Sequence, residues 1–167
     1  MYNELTEKDI KKMEEEIEYR KVVLRAQLLE CVKEARSHGD LSENFEYHAA
    51  KKEKNQNDSR IRYLERMIRT AKIVEDHAED DEVGLNKLVD VYDEDQRIVE
   101  QLKIVTPIRG NVLEGRISTE SPIGKALMHH HVGDRVYIEL SKGNGYYLEI
   151  RKIVKLEDDD SDPIQRF

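Results

Sequence analysis

Two long, highly charged segments flank one short polar stretch, His38-Gly39-Asp40-Leu41-Ser42-Glu43-Asn44. That arrangement constrains the fold more than any other feature of the chain. Before the stretch, apolar residues fall at Ile10, Met13, Ile17, Leu24, Leu28, Cys31 or Val32, and Ala35. Their spacings are three, four or the sum of the two, which is one stripe of a helix. Arg20 and Lys21 interrupt the stripe once. After the stretch a second stripe runs through Tyr47, Ala50, Ile61, Leu64, Ile68 and Ala71, with polar Lys54 and Asn57 on the same face. Thr6 and Asp9 approach a capping-box pattern, so the first helix is predicted from about residue 7 to 37, roughly 45 Å at 1.5 Å per residue. Gly39 stops it, and the second helix is predicted to begin near residues 40–44. A helix of that length and polarity needs a partner. Folding the two back at the tip makes the numbers of facing positions sum to about 82, as in an antiparallel coiled-coil hairpin. Ile10 then faces Ala71, Ile17 faces Leu64 or Glu65, and Leu24 faces Asn57.

The composition agrees with an extended helical element joined to something small. Apolar and charged residues each make up 38% of 167 residues, and Trp is absent. That is too polar for one well-filled core. Charge is uneven: residues 1–76 hold 16 Lys/Arg against 17 Asp/Glu, and residues 77–167 hold 12 against 19, for a net of −8. The acidic half would repel a nucleic-acid backbone. The single cysteine, Cys31, has no internal disulfide partner and no ligand spacing around it, so it reads as a reduced structural thiol. No apolar run approaches the ~18–20 residues that span a bilayer. The N-terminus lacks a basic-then-apolar signal segment. The expectation is a soluble, cytoplasmic protein with no membrane partner.

The period changes after the hairpin. The domain reading is a helical hairpin over 1–76 with an acidic tip at 38–44, a linker over 77–84, a compact domain over 85–157, and an acidic, frayed tail over 158–167. Leu88–Tyr92 and Arg97–Val105 alternate as strands around a turn at Asp93-Glu94-Asp95. Arg109-Gly110-Asn111 is another turn, and Arg116–Thr119 a short strand. Ser121-Pro122 opens a short helix to Leu127, with Ser as N-cap and Pro at the first helical position. Strands follow over 135–140 and 146–156, joined by a turn at Lys142-Gly143-Asn144-Gly145. This is an α+β domain of about five strands and one helix.

Few residues carry chemistry. Asp40 and Glu43 have two readings. In one, Asp40 caps the second helix and Glu43 reaches back to it. In the other, two exposed carboxylates form part of a site for a hard divalent ion such as Mg²⁺, which a second molecule must complete. Arg36, Lys51, Lys52 and Lys54 near the tip form either a solvated face or a contact for a nucleic-acid backbone. Phe45 either packs on Leu41 or offers a ring to a base. His129-His130-His131 invites a metal reading, but three consecutive histidines cannot all face one ion, and the sequence shows no further ligand cluster nearby. Tyr146 and Tyr147 fall on opposite faces of a strand. No P-loop, nucleophile elbow, dinucleotide fingerprint or paired CxxC is present.

Gly39-Asp40-Leu41-Ser42-Glu43-Asn44, with Glu46-Tyr47, Ala50-Lys51 and the preceding Glu34-Ala35-Arg36, resembles the tip signature of the bacterial GreA/GreB transcript-cleavage factors. Gly115–Ser118, Ser121–Leu127 and Val132-Gly133-Asp134 are similar to that family's C-terminal motifs, and the resemblance covers nearly the whole chain in order. It implies a coiled-coil hairpin followed by an FKBP-like α+β domain. It further implies a role as elongation factor. The C-terminal domain docks on RNA polymerase at the rim of its secondary channel, and the hairpin tip enters the channel. The polymerase then cleaves its own backtracked transcript, acting on the nascent RNA 3′ end.

By the motif match, Asp40 and Glu43 share a Mg²⁺ and a water with the polymerase. Ser42, Asn44, Phe45 and Tyr47 shape the tip, and Arg36, Lys51 and Lys52 are candidates for RNA contact. Glu120, Ser121, Pro122 and Ile123 meet the polymerase. The chain is then no enzyme in its own right, and a monomer is expected. Three departures stand out: Phe45 where the family usually has Ala, Asn57–Ile61 in place of a Glu-Gly-Arg-Ile-like run, and no Pro near Leu24-Arg25-Ala26. Two alternatives remain: a secondary-channel binder that inhibits without cleavage, and an FKBP-fold chaperone-like module.

Overall fold

The computed structural model describes residues 4–40, 44–157 and 160–165. The chain forms two compact units, one of residues 8–71 and one of residues 72–165 together with residues 4–7.

In the first unit the helical rod is continuous, but not uniform. Helix α1 spans Glu7–Tyr19 and α2 spans Arg25–Ser37, with one π-helical segment, Arg20–Leu24, between them. The burial pattern explains this segment. Met13 is buried and Arg20 half-buried, seven residues apart; buried Leu28 follows after eight, and Ala35 after seven more. The extra residue between Arg20 and Leu28 would rotate the stripe off the interface in an α-helix. A wider π turn absorbs it. The same shift settles the choice between Cys31 and Val32: Val32 is half-buried, and Cys31 is an exposed free thiol rather than a structural one.

Helix α3, Phe45–Arg69, returns along this rod and buries Tyr47, Asn57, Arg60, Ile61, Leu64 and Met67. Where the apolar stripes are weakest, polar groups take over. Asn57, 3% exposed, donates through Nδ2 to the Arg20 carbonyl at 3.2 Å and accepts from Arg20 Nη1 at 3.0 Å. That carbonyl also accepts the Arg25 N–H across the π turn. Glu16 Oε1 accepts from Arg20 Nε at 2.7 Å and from the buried Arg60 Nε at 2.9 Å, and Glu16 Oε2 accepts from Arg60 Nη2 at 3.2 Å. Burial alone would raise the Glu16 carboxyl. The bonds and charges of Arg60 and Arg20 outweigh it and hold the group below its ordinary value. Lys21–Glu65 at 2.6 Å and Arg25–Asp58 at 2.7 Å flank this centre. Arg25–Asp58 sits at the expected register, whereas Asn57 meets Arg20 rather than Leu24 and Glu65 meets Lys21 rather than Ile17, because long polar side chains reach along the seam. Buried polar contacts in a coiled coil fix register because a slip would leave them unmade.

The second unit is built on a five-stranded sheet ordered β5-β4-β3-β7-β6. Its strands are β3 Lys87–Asp93, β4 Ile98–Val105, β5 Arg116–Ser118, β6 Arg135–Ser141 and β7 Asn144–Lys155. Only β4 and β5 pair in parallel; the other pairs are antiparallel. A separate parallel pair joins β1 Glu4–Leu5 to β2 Lys72–Ile73. Helix α4, Pro122–Leu127, contributes Leu127 to a core with Val89, Val91, Ile104, Ile138 and Ile150. Tyr146 packs against this core, while Tyr147, on the opposite face, stacks at 5.1 Å from Tyr137 beneath the Arg135 guanidinium.

Two segments differ from expectation. Residues 77–84 do not behave as a free linker. Val83 is fully buried and exchanges backbone hydrogen bonds with the 129–130 segment, donating to His130 O at 2.8 Å and accepting from His129 N at 3.1 Å. Lys87, with no exposed surface, donates its ammonium to the carbonyls of Glu79 and of Glu82, the latter at 2.7 Å. Acidic composition suggested solvent, but here the segment's backbone carbonyls accept hydrogen bonds from a buried lysine. The tail also docks where it is described. Asp162 meets Lys103 at 2.5 Å, Asp160 meets the buried Arg109 at 2.5 Å, Gln165 N donates to Ile108 O at 2.8 Å, and Ile164 is buried. Asp160 and Asp162 are held by cations rather than frayed into water.

Candidate functional site

The hairpin tip is closed by one side chain. Asn44, not Asp40, is the N-cap of α3: its Oδ1 accepts the Tyr47 N–H at 3.0 Å. The same amide donates through Nδ2 to the carbonyl of Ala35 at 2.6 Å, which ties the start of α3 to the last turn of α2. Gly39 makes the reversal with φ +134, a conformation that side-chain-bearing residues rarely adopt. The capping reading of Asp40 therefore fails on position, because the helix begins four residues later than that reading requires. Asp40 is exposed on the loop between the helices. Glu43, Ser42 and Leu41 lie outside the described residues.

Around the tip the candidates divide. Tyr47 is buried between two cations, with the Arg36 guanidinium 5.6 Å and the Lys51 ammonium 5.9 Å from its ring centre. Tyr47 thus packs the tip while fixing both cations, each contact worth about 0.5–1 kcal/mol where the cation itself stays in solvent. His38 Nδ1 lies 3.2 Å from Glu46 Oε2, a second link across the turn. Lys52 joins Lys51, His48, Asn55, Gln56 and Ser59 around an open polar hollow farther along α3. Phe45, on the first turn of α3, is 86% exposed. An exposed ring there buries almost nothing within the described residues.

The second candidate site is in the other unit. Ser121 caps α4 as the sequence predicts, accepting from Gly124 N at 3.0 Å and donating to Ser118 O at 2.7 Å. Gly124 has no room for a side chain: a Cβ would lie 2.0 Å from the Ser118 carbonyl. Glu120 is held by Lys125 at 3.0 Å. Pro122 is exposed, whereas Ile123 packs partly into the core. Sequence reading missed a hollow of about 440 Å³ beside this loop, whose lining includes Asp76, Glu82, Leu85, Thr119, Glu120 and Lys125. The Thr119 hydroxyl is buried there without a hydrogen-bond partner among the described residues. Only the fold, by packing residues 74–85 against this loop, makes the hollow; nothing local in sequence announces it.

Comparison with known proteins places both units. A family model described as "Transcription elongation factor, N-terminal" matches residues 3–73, and "Transcription elongation factor, GreA/GreB, C-term" matches residues 78–155. The chain is 44% identical over 151 residues to transcription elongation factor GreA of Thermoanaerobacter pseudethanolicus, covering 89% of this chain and 96% of that one. It is 43% identical over 153 residues to GreA of Bacillus licheniformis, covering 91% and 94%. Among solved structures, GreA factor homolog 1 (Gfh1) of Thermus thermophilus aligns at 26% identity over 92% of this chain and 99% of that one, with a TM-score of 0.42.

Proposed function

The chain belongs to the GreA/GreB family of transcription elongation factors, and from that membership we propose that it is a GreA-type factor whose tip carboxylates assist a bacterial RNA polymerase in hydrolysing its own backtracked transcript. The observation that supports this most is the position of Asp40. It is an exposed carboxylate at a hairpin tip whose helix cap is already supplied by Asn44.

Asp40 and Glu43 are hard oxygen donors of the type Mg²⁺ takes, and they are too few to hold it alone. They would hold it jointly with carboxylates of the polymerase. Bound there, the ion supplies charge stabilisation at a phosphoryl oxygen and a more acidic water. What the chain itself does is positioning. The Asn44 amide ties together the two helix ends that carry the tip, and Gly39 turns the chain out of the first of them. Arg36 and Lys51, held against Tyr47, offer positive charge to an RNA backbone close to the carboxylates. The exposed Phe45 ring offers a stacking surface for the extruded 3′ base. The loop from Glu120 to Ile123, with the hollow and the buried Thr119 hydroxyl beside it, is the surface for the polymerase rim. On this reading the chain is not itself the hydrolase, and the channel route and RNA end are its working surroundings.

The test is transcript shortening in a stalled, backtracked bacterial elongation complex carrying 5′-labelled RNA. Wild type shortens the RNA; Asp40→Asn and Glu43→Gln bind the polymerase and do not. Binding without shortening by wild type would overturn the cleavage role and leave a non-cleaving inhibitor, with Phe45→Ala the variant to compare.

A further inference from the structure

The histidine triplet is divided among three tasks. His129 adopts a left-handed backbone, φ +65, and places Nδ1 against Glu82 Oε1. His130 is half-buried, with Nδ1 3.3 Å from the Met128 carbonyl. His131 turns the other way, exposed, with its N–H donating to Asp134 Oδ2 at 2.8 Å. Three adjacent imidazoles therefore do not share a ligand. The fold instead brings new ligands to one of them. An antiparallel bridge pairs Glu82 with His131, which lays residues 79–82 alongside the triplet. Glu79, Asp81 and His131 then each present a ligand atom within 4.8 Å of the other two.

We propose that Glu79, Asp81 and His131 form a binding site for a divalent transition-metal ion, zinc by its ligand chemistry. One imidazole nitrogen with two carboxylate oxygens suits zinc and its neighbours, whereas magnesium takes oxygen alone. Tetrahedral ligands at about 2.1 Å from a metal stand about 3.4 Å apart, so small side-chain rotations close the observed spacing. The scaffold beneath is fixed. The buried Lys87 ammonium holds the carbonyls of Glu79 and Glu82, and the Val83 and His129 backbones are bonded to each other. The lysine bonds to main-chain carbonyls, so the Glu79 and Asp81 carboxylates stay exposed. Three protein ligands leave a fourth position for water or a further group. A bound ion would cross-link the 79–82 segment to the loop preceding β6. This site is separate from the tip carboxylates and does not depend on their role.

The test is a titration of the EDTA-treated, dialysed full chain with ZnCl₂ against a zinc-binding dye, in millimolar MgCl₂ to occupy oxygen-only sites. The expected result is one zinc per chain, weakened by at least about tenfold in His131→Gln and in Asp81→Asn, because each removes a direct ligand. His129→Gln and His38→Gln are expected to match wild type. Co²⁺ in place of Zn²⁺ should give visible absorption that His131→Gln loses. No stoichiometric zinc uptake by wild type, uptake in His131→Gln equal to wild type, or complete displacement by Mg²⁺ would each overturn the proposal. Circular dichroism of His131→Gln separates loss of a ligand from loss of fold. If that variant is unfolded, the Asp81→Asn titration decides.

Discussion

The amide of Asn44 closes the hairpin tip by bonding both of its sides: Nδ2 to the Ala35 carbonyl at 2.6 Å and Oδ1 to the Tyr47 N–H at 3.0 Å. Replacing it with Ala removes a cap and a cross-tip bond. The expected cost is about 2 kcal/mol, from about 1 kcal/mol for each. Asn44→Asp keeps the cap acceptor and loses the donor to Ala35, so it should recover about half. Urea unfolding of the three proteins measures this. In cleavage assays both variants should lose stimulation while retaining polymerase binding. Equal cleavage by Asn44→Ala would show that tip closure is not needed.

Glu16 predicts an acid-sensitive hairpin. Its folded pKa is lowered, so its stabilisation is present above the unfolded value of about 4.3 and is lost as pH falls through the lower folded value. Asp58, lowered by Lys54 and Arg25 against its own burial, behaves in the same sense. Thermal midpoints should fall steeply below about pH 4.3, and Glu16→Gln should flatten that fall. At pH 7 Glu16→Gln should cost about 2–3 kcal/mol, because the buried Arg60 loses its counter-charge and one of the two acceptor oxygens that Glu16 gives it. An unchanged pH profile would mean the network contributes nothing.

Phe45 predicts a measurable contribution from stacking. Since the ring is 86% exposed, Phe45→Ala should leave stability within about 0.5 kcal/mol of wild type. If the ring stacks on the extruded base, the factor concentration giving half-maximal cleavage should rise by about 1–3 kcal/mol equivalent. A rise in cleavage on losing the ring would identify Phe45 as an obstacle instead.

Lys87 predicts a large effect within the second unit. Lys87→Met keeps most of the buried volume but leaves the Glu79 and Glu82 carbonyls without the ammonium. Each such loss costs about 1–3 kcal/mol. Urea unfolding should show about 2–4 kcal/mol lost. A neutral outcome would mean that water replaces the lysine in solution.

Much of this was legible in the chain. Helical spacing gave both arms of the hairpin and their approximate register, and the Ser121-Pro122 cap gave α4 to the residue. The interruption at Arg20-Lys21 was visible, but not its consequence, because a π turn appears only when the stripes on both sides are compared with their true burial. The Asn57 position read as a weakness of the second stripe; it is the partner of the Arg20 carbonyl. Asp40 resembled a cap because Asp-Leu-Ser-Glu fits a local pattern, and Asn44 won because it reaches Ala35 as well as Tyr47. The acidic 77–84 segment and the tail misled for one reason: their order comes from cations whose burial only the fold decides, Lys87 for the segment and Arg109 and half-buried Lys103 for the tail. The ligands around His131 were invisible for the same reason.

On the proposed function, the tip carboxylates raise the polymerase's hold on a catalytic Mg²⁺. The most direct measurement is the rate of transcript cleavage against Mg²⁺ concentration, with factor saturating, for no factor, wild type and Asp40→Asn. Wild type should lower the Mg²⁺ concentration giving half-maximal rate, and Asp40→Asn should return it to the value without factor while still binding the polymerase. The same Mg²⁺ dependence for wild type and Asp40→Asn, with cleavage stimulated by both, would contradict it.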